Sequence, residues 1–347
     1  MDITIAVDAM GCDMGPVAAV EGAVGALSDG RFGGKITKIL LVGRQAEINA
    51  HLAKTPHDSG RLEVVDADEV IHVDESPTAA IKTKKNSSIV VGLNLVKQGR
   101  AAAFVSAGST GAVLTGATTI IGRIKGIKRP ALGVLLPNSN GGHTFLTDAG
   151  ANVEVKPEFL LQFAQMGSVY MESVLDVKNP RIGLINVGAE REKGTSVAKA
   201  SHELLEASQL NFLGNVEARD IPYGTVDVAV CDGFVGNIIL KYTEGYAKGL
   251  FATLKTELIS KFLSRFGALL SRGAFKRMRK RYDYTEVGGA PFIGLNGLVV
   301  KAHGSSNAKA MKNSIGQCVK FIEGGVVGKI AAMSSEKLDE RDEKNGI

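Results

Sequence analysis

The chain has 347 residues, 44% hydrophobic and 22% charged, with 42 glycines and no tryptophan. That composition supplies a large core and excludes a disordered chain; so much glycine at ordinary charge suits an α/β protein with many tight strand–helix turns. A formal net charge of +5 is too mild to call for nucleic acid.

Cys12, Cys231 and Cys318 show neither metal-ligand spacing nor a disulfide framework, which fits a reducing, cytosolic setting. The N-terminus enters the strand-like ITIAVDA directly, so no signal peptide is expected. No apolar run approaches transmembrane length, and no short-period repeat stands out.

In chain order, Ile3 to Val7 reads as a strand ending at Asp8-Ala-Met-Gly11, and Pro16 opens a helix. Strands over Lys38–Val42 and Leu62–Asp66 flank a helix at Gln45–Lys54. Asp74 to Thr78 looks like a helix start, leading into a basic helix with Lys82, Lys84 and Lys85; Ser88–Lys97 is a second helical run. Ala101–Val105 is a buried strand broken by Ser106-Ala-Gly108-Ser109-Thr110-Gly111. Leu132–Leu136 and Thr144–Leu146 read as an antiparallel pair around a turn at Asn138–Gly142. The loop Asp148–Asn152 precedes a helix at Pro157–Tyr170. Arg181–Val187 is a strand, the loop Gly188–Thr195 follows, and a helix covers Val197–Ala207. Asn211–Val216 and Val226–Cys231 are strands, the second ending at Asp232-Gly233 before a helix that carries Asn237 and Lys241.

Phe251 to Arg281 places Phe251, Leu254, Leu258, Phe262, Phe266, Leu269 and Leu270 at helical spacing among basic residues that end in Lys276, Arg277, Arg279, Lys280 and Arg281. Such a segment suits an anionic membrane surface or an acidic protein partner; a dimer-packing helix with a solvated face is the plainer reading, and one hairpin can serve both. From Tyr284 the close-set Gly288, Gly289, Pro291, Gly294 and Gly297 read as loop, then Leu298–Val300 as a short strand. Lys301, His303, Ser305, Ser306 and Asn307 lead into a helix. After Ala332 the tail is charged and expected to fray.

Strands alternate with helices and many are solidly apolar, which predicts a mostly parallel sheet flanked by helices. Ligands then sit beyond the strand ends, where the polar glycine turns fall. A strand that breaks and restarts as a helix leaves N–H groups aimed at the break, favouring an anion. At Lys301–Asn307 one polar residue is needed as a cap and the rest are not. Ser106–Ala112 reads equally as an anion cradle or as helix–sheet packing with a hydroxyl cap. It is neither GxGxxG nor a Walker loop, and no metal spacing occurs among the six histidines, so no nucleotide, metal or other cofactor is expected. Asp232 reads as a cap or turn residue, Cys231 as a buried inert thiol, and Arg129 as either a site cation or an ordinary strand start.

Together VDAMGCDMGP, KNSS, VSAGSTGA, RPALGVLLP, DAGAN, GLINVGAEREKG, RDIPYGTVDVAVCDGFVGN and YTEVGGAPFIGLNGLVVKAHGSSNAKA resemble the bacterial phosphate acyltransferase (PlsX) family over nearly the whole chain. Cys12 and Met14 stand where that family has Gly and His, and Ser109 where it has Asn. Met14 argues against an indispensable acid–base role at its position, whereas Ser109 still donates a hydrogen bond.

The resemblance implies an isocitrate/isopropylmalate-dehydrogenase-like fold and reversible transfer of a long acyl chain from acyl carrier protein to inorganic phosphate. It also implies a cytoplasmic homodimer peripherally attached to membrane. The acyl phosphate formed would pass to a membrane glycerol-3-phosphate acyltransferase. One catalytic α/β domain is expected over residues 1–333, with the basic helical segment inserted at about 248–282, and a flexible tail over 334–347. The expected catalytic residues are His303, Lys301 and Asn237. Phosphate is expected at Ser106, Gly108, Ser109, Thr110, Ser305, Ser306 and Lys241. Membrane or carrier docking falls to Leu258, Phe262, Phe266, Leu269, Lys276, Arg277, Arg279, Lys280 and Arg281. A short-chain phosphotransacetylase using acyl-coenzyme A and a non-enzymatic phospho-ligand-binding membrane scaffold are the competing readings.

Overall fold

The structure, a computed structural model, describes residues 2–345, with side chains left out at Tyr284, Val287 and 337–345. Eleven strands form one sheet: β1 (Ile3–Asp8), β2 (Ile36–Gly43), β3 (Leu62–Asp66), β4 (Ala103–Ser106), β5 (Ala131–Pro137), β6 (His143–Thr147), β7 (Ile182–Ile185), β8 (Phe212–Val216), β9 (Val228–Val230), β10 (Ala290–Ile293) and β11 (Leu298–Lys301). Their order is β3-β2-β1-β4-β11-β10-β5-β6-β9-β7-β8. The first five in that order are mutually parallel, as are the last four. The two parallel blocks run in opposite senses, because β10 and β5 join them through three antiparallel pairings.

The solid apolar strands have a direct physical cause. Along β1, Ile3, Ile5 and Val7 join a core on one face while Ala6 joins the core on the other. β4 and β11 repeat this, with Ala103, Val105, Leu298 and Val300 on the first face and Phe104 and Val299 on the second. Side chains alternate along a strand, so a sheet covered on both faces must be apolar at every position.

Two local expectations change. The glycine-dense stretch after Tyr284, read as loop, contains the helix Tyr284–Val287 and the strand β10. Pro291 fits inside the sheet because the ladder to β5 starts only at Phe292; Pro291 itself is paired on the β11 side, with Val300. Secondly, the helix carrying Asn237 does not stop before the basic segment. It runs unbroken over Gly233–Ser260, 28 residues and about 42 Å at 1.5 Å per residue. The helices Phe262–Leu270 and Arg272–Arg281 then fold back, and Arg281 Nη1 reaches Ser139 O at 3.3 Å in the β5–β6 turn. The last helix covers Val326–Asn345. The charged tail expected there falls mostly on side chains outside the described residues. No described helix is long and apolar enough to cross a membrane.

Candidate active site

The site is built where parallel strands end. β4 lies between β1 and β11, with Val105 opposite both Val7 and Val300 and Ser106 opposite Lys301. The turns after Ser106 and after Lys301 therefore leave the same edge side by side. Ala302 N donates to Ser106 O at 2.9 Å and Asp13 N to Gly304 O at 2.9 Å, so the turns after β1, β4 and β11 interlock.

A cavity of about 1240 Å³ opens beside them. At one end stand Gly108, Ser109 and Thr110 from the turn after β4 and Lys301, His303, Gly304 and Asn307 from the turn after β11; Gly150, from the loop after β6, and Asn237 and Lys241, from the helix of 233–260, line the cavity as well. Asn237 stands close to Gly150 because the helix of 233–260 presses on the loop after β6. A Cβ added at Gly236 would lie 1.9 Å from Asp148 O, a separation that only glycine permits. From there the walls are largely apolar: Leu132, Val134 and Leu136 of β5 on one side, Leu240, Ala247, Phe251, Leu254 and Leu258 of the long helix on another. Arg272, Phe275 and Arg279 of the returning helix also line it. Phe251 and Tyr282, with ring centroids 6.4 Å apart, tie the long helix to the residue that closes the returning one.

Capping sorts the polar residues. Asn307 Oδ1 accepts from Ala310 N at 3.0 Å and so caps the helix Ala308–Glu323, leaving Ser305 and Ser306 other tasks. Ser109 Oγ accepts from Ala112 N, at the long distance of 3.5 Å. Asp232 is a true N-cap, accepting from Val235 N at 2.9 Å. Cys231 is buried, and burial pushes its thiol well above the usual range, as an inert core residue requires.

Of the residues expected to act on substrate, His303, Lys301, Asn237, Gly108, Ser109, Thr110 and Lys241 share the cavity wall. Ser106, Ser305 and Ser306 are not among its lining. Ser106 and Ser306 are buried; Ser305 is exposed, with its Oγ 2.8 Å from His303 Nδ1, so it orients the histidine. Lys301 Nζ donates to Ala107 O at 3.2 Å and to Ala302 O. Burial lowers the lysine to about 8, with Asp8, Cys12 and Asp13 acting in the opposite direction. In the hairpin, Leu258 lines the cavity, whereas Phe262, Phe266 and Leu269 are 84%, 59% and 64% exposed. No residue of 262–281 is buried, the five basic residues of 276–281 included.

Two carboxylates escaped the sequence reading. Asp8, fully buried at the end of β1, accepts from Ser106 Oγ at 2.6 Å and from Met10 N at 2.9 Å. Asp148, fully buried at the end of β6, accepts from Leu132 N, Gly150 N, Ala151 N, Asn152 N and Asn152 Nδ2 at 2.6–3.2 Å, which shapes the loop under Asn237. Burial raises both carboxyls while these hydrogen bonds pull them down. The available signal was an aspartate closing an apolar strand just before a glycine loop. Among the described residues, no group of three or more His, Cys, Asp or Glu is placed to hold a metal ion.

This architecture is that of the phosphotransacylases. A phosphotransacetylase from Streptococcus pyogenes superposes with a TM-score of 0.60 at 20% identity, covering 93% of this chain and 94% of the other. A branched-chain phosphotransacylase from Enterococcus faecalis gives 0.56 at 13% identity, covering 92% and 98%. Sequence narrows the class. Residues 3–329 match the family described as "Fatty acid synthesis protein". Proteins called phosphate acyltransferase from Clostridium acetobutylicum and Clostridium tetani are each 49% identical to this chain. They align over 96% and 94% of it, and over 99% and 96% of their own lengths. The chain belongs to the phosphate acyltransferase (PlsX) family, and is an acyltransferase that passes an acyl group to phosphate.

Proposed function

We propose that the protein transfers a long-chain fatty acyl group reversibly from acyl carrier protein to inorganic phosphate, giving an acyl phosphate for phospholipid synthesis. The observation that carries the reading is the two-part character of one cavity. Its polar end offers turn amides, hydroxyls and a lysine to an oxyanion. Its long apolar wall between β5 and the helix of 233–260 suits a hydrocarbon chain. At about 1240 Å³ it exceeds the roughly 300–1,000 Å³ that encloses an ordinary small ligand.

In this reading a phosphate oxygen, held by Ser109, Thr110 and Lys301, attacks the thioester carbonyl carbon. The new C–O bond forms as the carbonyl pair moves onto oxygen, where Asn237 and nearby amides stabilise it. Collapse breaks the C–S bond, and His303 protonates the departing thiolate. The phosphate dianion is itself the nucleophile, so no acyl-enzyme is required.

The outer surface supports two further parts of the proposal. Phe234, Ile238, Tyr242, Tyr246 and Leu250 recur every fourth residue along the long helix and are all exposed, a stripe suited to a second copy in a homodimer. The exposed apolar residues of 262–270 and the basic run Lys276–Arg281 support peripheral docking on an anionic bilayer, near a membrane enzyme that would consume the product. The same basic run complements an acidic carrier.

Incubation with palmitoyl-acyl-carrier protein and labelled phosphate tests the reading, with acyl phosphate as the expected product. The fold shared with phosphotransacetylases favours one rival, a short-chain enzyme using acyl-coenzyme A. Faster turnover of acetyl-coenzyme A than of the palmitoyl carrier would establish it. Family membership sets aside the scaffold reading.

A further inference from the structure

We infer that Asp8 is a positioning residue for acyl transfer: its buried carboxylate anchors the turn after β4 through Ser106 and stands behind Lys301, holding that ammonium charged at the phosphate end of the cavity. The inference rests on the reading of Lys301 as a phosphate contact.

The register places these residues. Val7 lies opposite Val105, and Ser106 opposite Lys301, on adjacent parallel strands. One step beyond Val7, Asp8 meets Ser106. Asp8, Ser106 and Lys301 thus form a row across the carboxyl edge of β1, β4 and β11, all on one face of the sheet. Asp8 Oδ2 takes the Ser106 hydroxyl at 2.6 Å, and Ser106 Oγ in turn accepts from Gly108 N at 3.0 Å, fixing the first amide of the turn. The neighbouring loop closes over this row. A Cβ on Gly11 would lie 2.6 Å from Asp8 Oδ2 and 2.4 Å from Gly108 N. Asp8 and Ser106 are both fully buried, whereas Lys301 reaches the cavity. Burial raises the Asp8 carboxyl, while hydrogen bonds from Ser106, Ser88 and Met10 and the Lys301 charge pull it back down.

The charged and titratable groups acting on Lys301 are Asp8 from β1 and Cys12 and Asp13 from the loop after it. Asp8 leads the influences that oppose the downward push of burial. The sign follows. Lys301 carries its charge below about 8 and loses it above. Removing the Asp8 charge lowers the lysine further, so its ammonium disappears at a lower pH and phosphate binding goes with it.

The test compares phosphate affinity, by titration calorimetry and as KM, between about pH 6 and 9 for the parent, Asp8→Asn, Lys301→Arg and the double variant. In the parent, affinity should fall as pH rises through about 8. In Asp8→Asn the fall should move acidward by about one pH unit, giving up to roughly tenfold weaker phosphate binding between the two inflections. The KM for the acyl donor should stay unchanged. Arginine does not titrate in this range, so the double variant should lose the shifted inflection. A purely structural Asp8 would lower kcat at every pH and leave the inflection where it was. Coincident pH profiles for parent and Asp8→Asn overturn the inference.

Should Asp8→Asn fail to fold, the unaltered protein carries the test through the ¹³Cε resonance of Lys301, assigned with Lys301→Arg. A midpoint near 8 that the Asp8 carboxyl resonance tracks supports the inference, and a Lys301 titration that leaves the Asp8 carboxyl resonance unmoved overturns it. Calorimetry needs no turnover. An unaltered protein that makes no acyl phosphate but shows the shift in phosphate binding would refute the functional reading alone. Acyl phosphate formation with coincident profiles would refute this inference alone.

Discussion

His303 is exposed on the cavity rim, and its Nδ1 is engaged by Ser305. That contact sets the ring orientation. His303→Ala should lower kcat by about 10²-fold or more, while the KM for the acyl carrier changes little. Steady-state rates equal to the parent would remove His303 from the mechanism. Asp232 lies next to the site yet does a structural task. Asp232→Ala removes one cap bond and should cost about 1 kcal/mol of unfolding free energy, read from urea denaturation. Residue type alone left Ser305, Ser306 and Asn307 as equal contenders for the cap. Backbone geometry chose Asn307, since its side chain is the one that returns to the Ala310 amide.

The long helix, Gly233–Ser260, serves two surfaces at once. Asn237, Leu240, Lys241, Glu244, Ala247, Phe251, Leu254 and Leu258 look into the cavity. On its outer side, Tyr242 and Tyr246 stack with centroids 5.9 Å apart within the exposed apolar stripe. Its start is pinned at Gly236, which leaves no room for a methyl group against Asp148 O. Gly236→Ala should therefore shift the helix, destabilise the protein by about 1–3 kcal/mol despite alanine's better helix propensity, and reduce turnover by displacing Asn237. An unchanged urea midpoint would contradict this. At the hairpin, Lys276, Arg277, Arg279, Lys280 and Arg281 changed together to glutamate should abolish sedimentation with anionic vesicles or weaken carrier binding. Retention of both would exclude an electrostatic docking role. Helical periodicity made the hairpin legible in the sequence, but it could not show that Leu258 turns inward while Phe262 and Phe266 turn outward.

At the scale of the molecule, the exposed stripe Phe234–Leu250 predicts self-association. Ile238→Asp with Tyr242→Glu should convert a dimer to monomers in sedimentation velocity. A parent protein that sediments as a monomer would refute the dimer. Much of the architecture was legible because its causes are local. Solid apolar runs require strands covered on both faces, and glycine-rich turns require strand–helix junctions, so a mostly parallel α/β sheet followed from the chain itself. The motifs carried the family, and the basic amphipathic run announced the hairpin. Which turns meet was decided only by the tertiary structure. β1, β4 and β11 are far apart in sequence and adjacent in the sheet, and that adjacency places Asp8, Ser106 and Lys301 in one row. The inward turn of Ser106, the burial that lowers Lys301, and the cavity joining a polar end to an apolar wall all arise from pairings between distant segments, which no local spacing encodes.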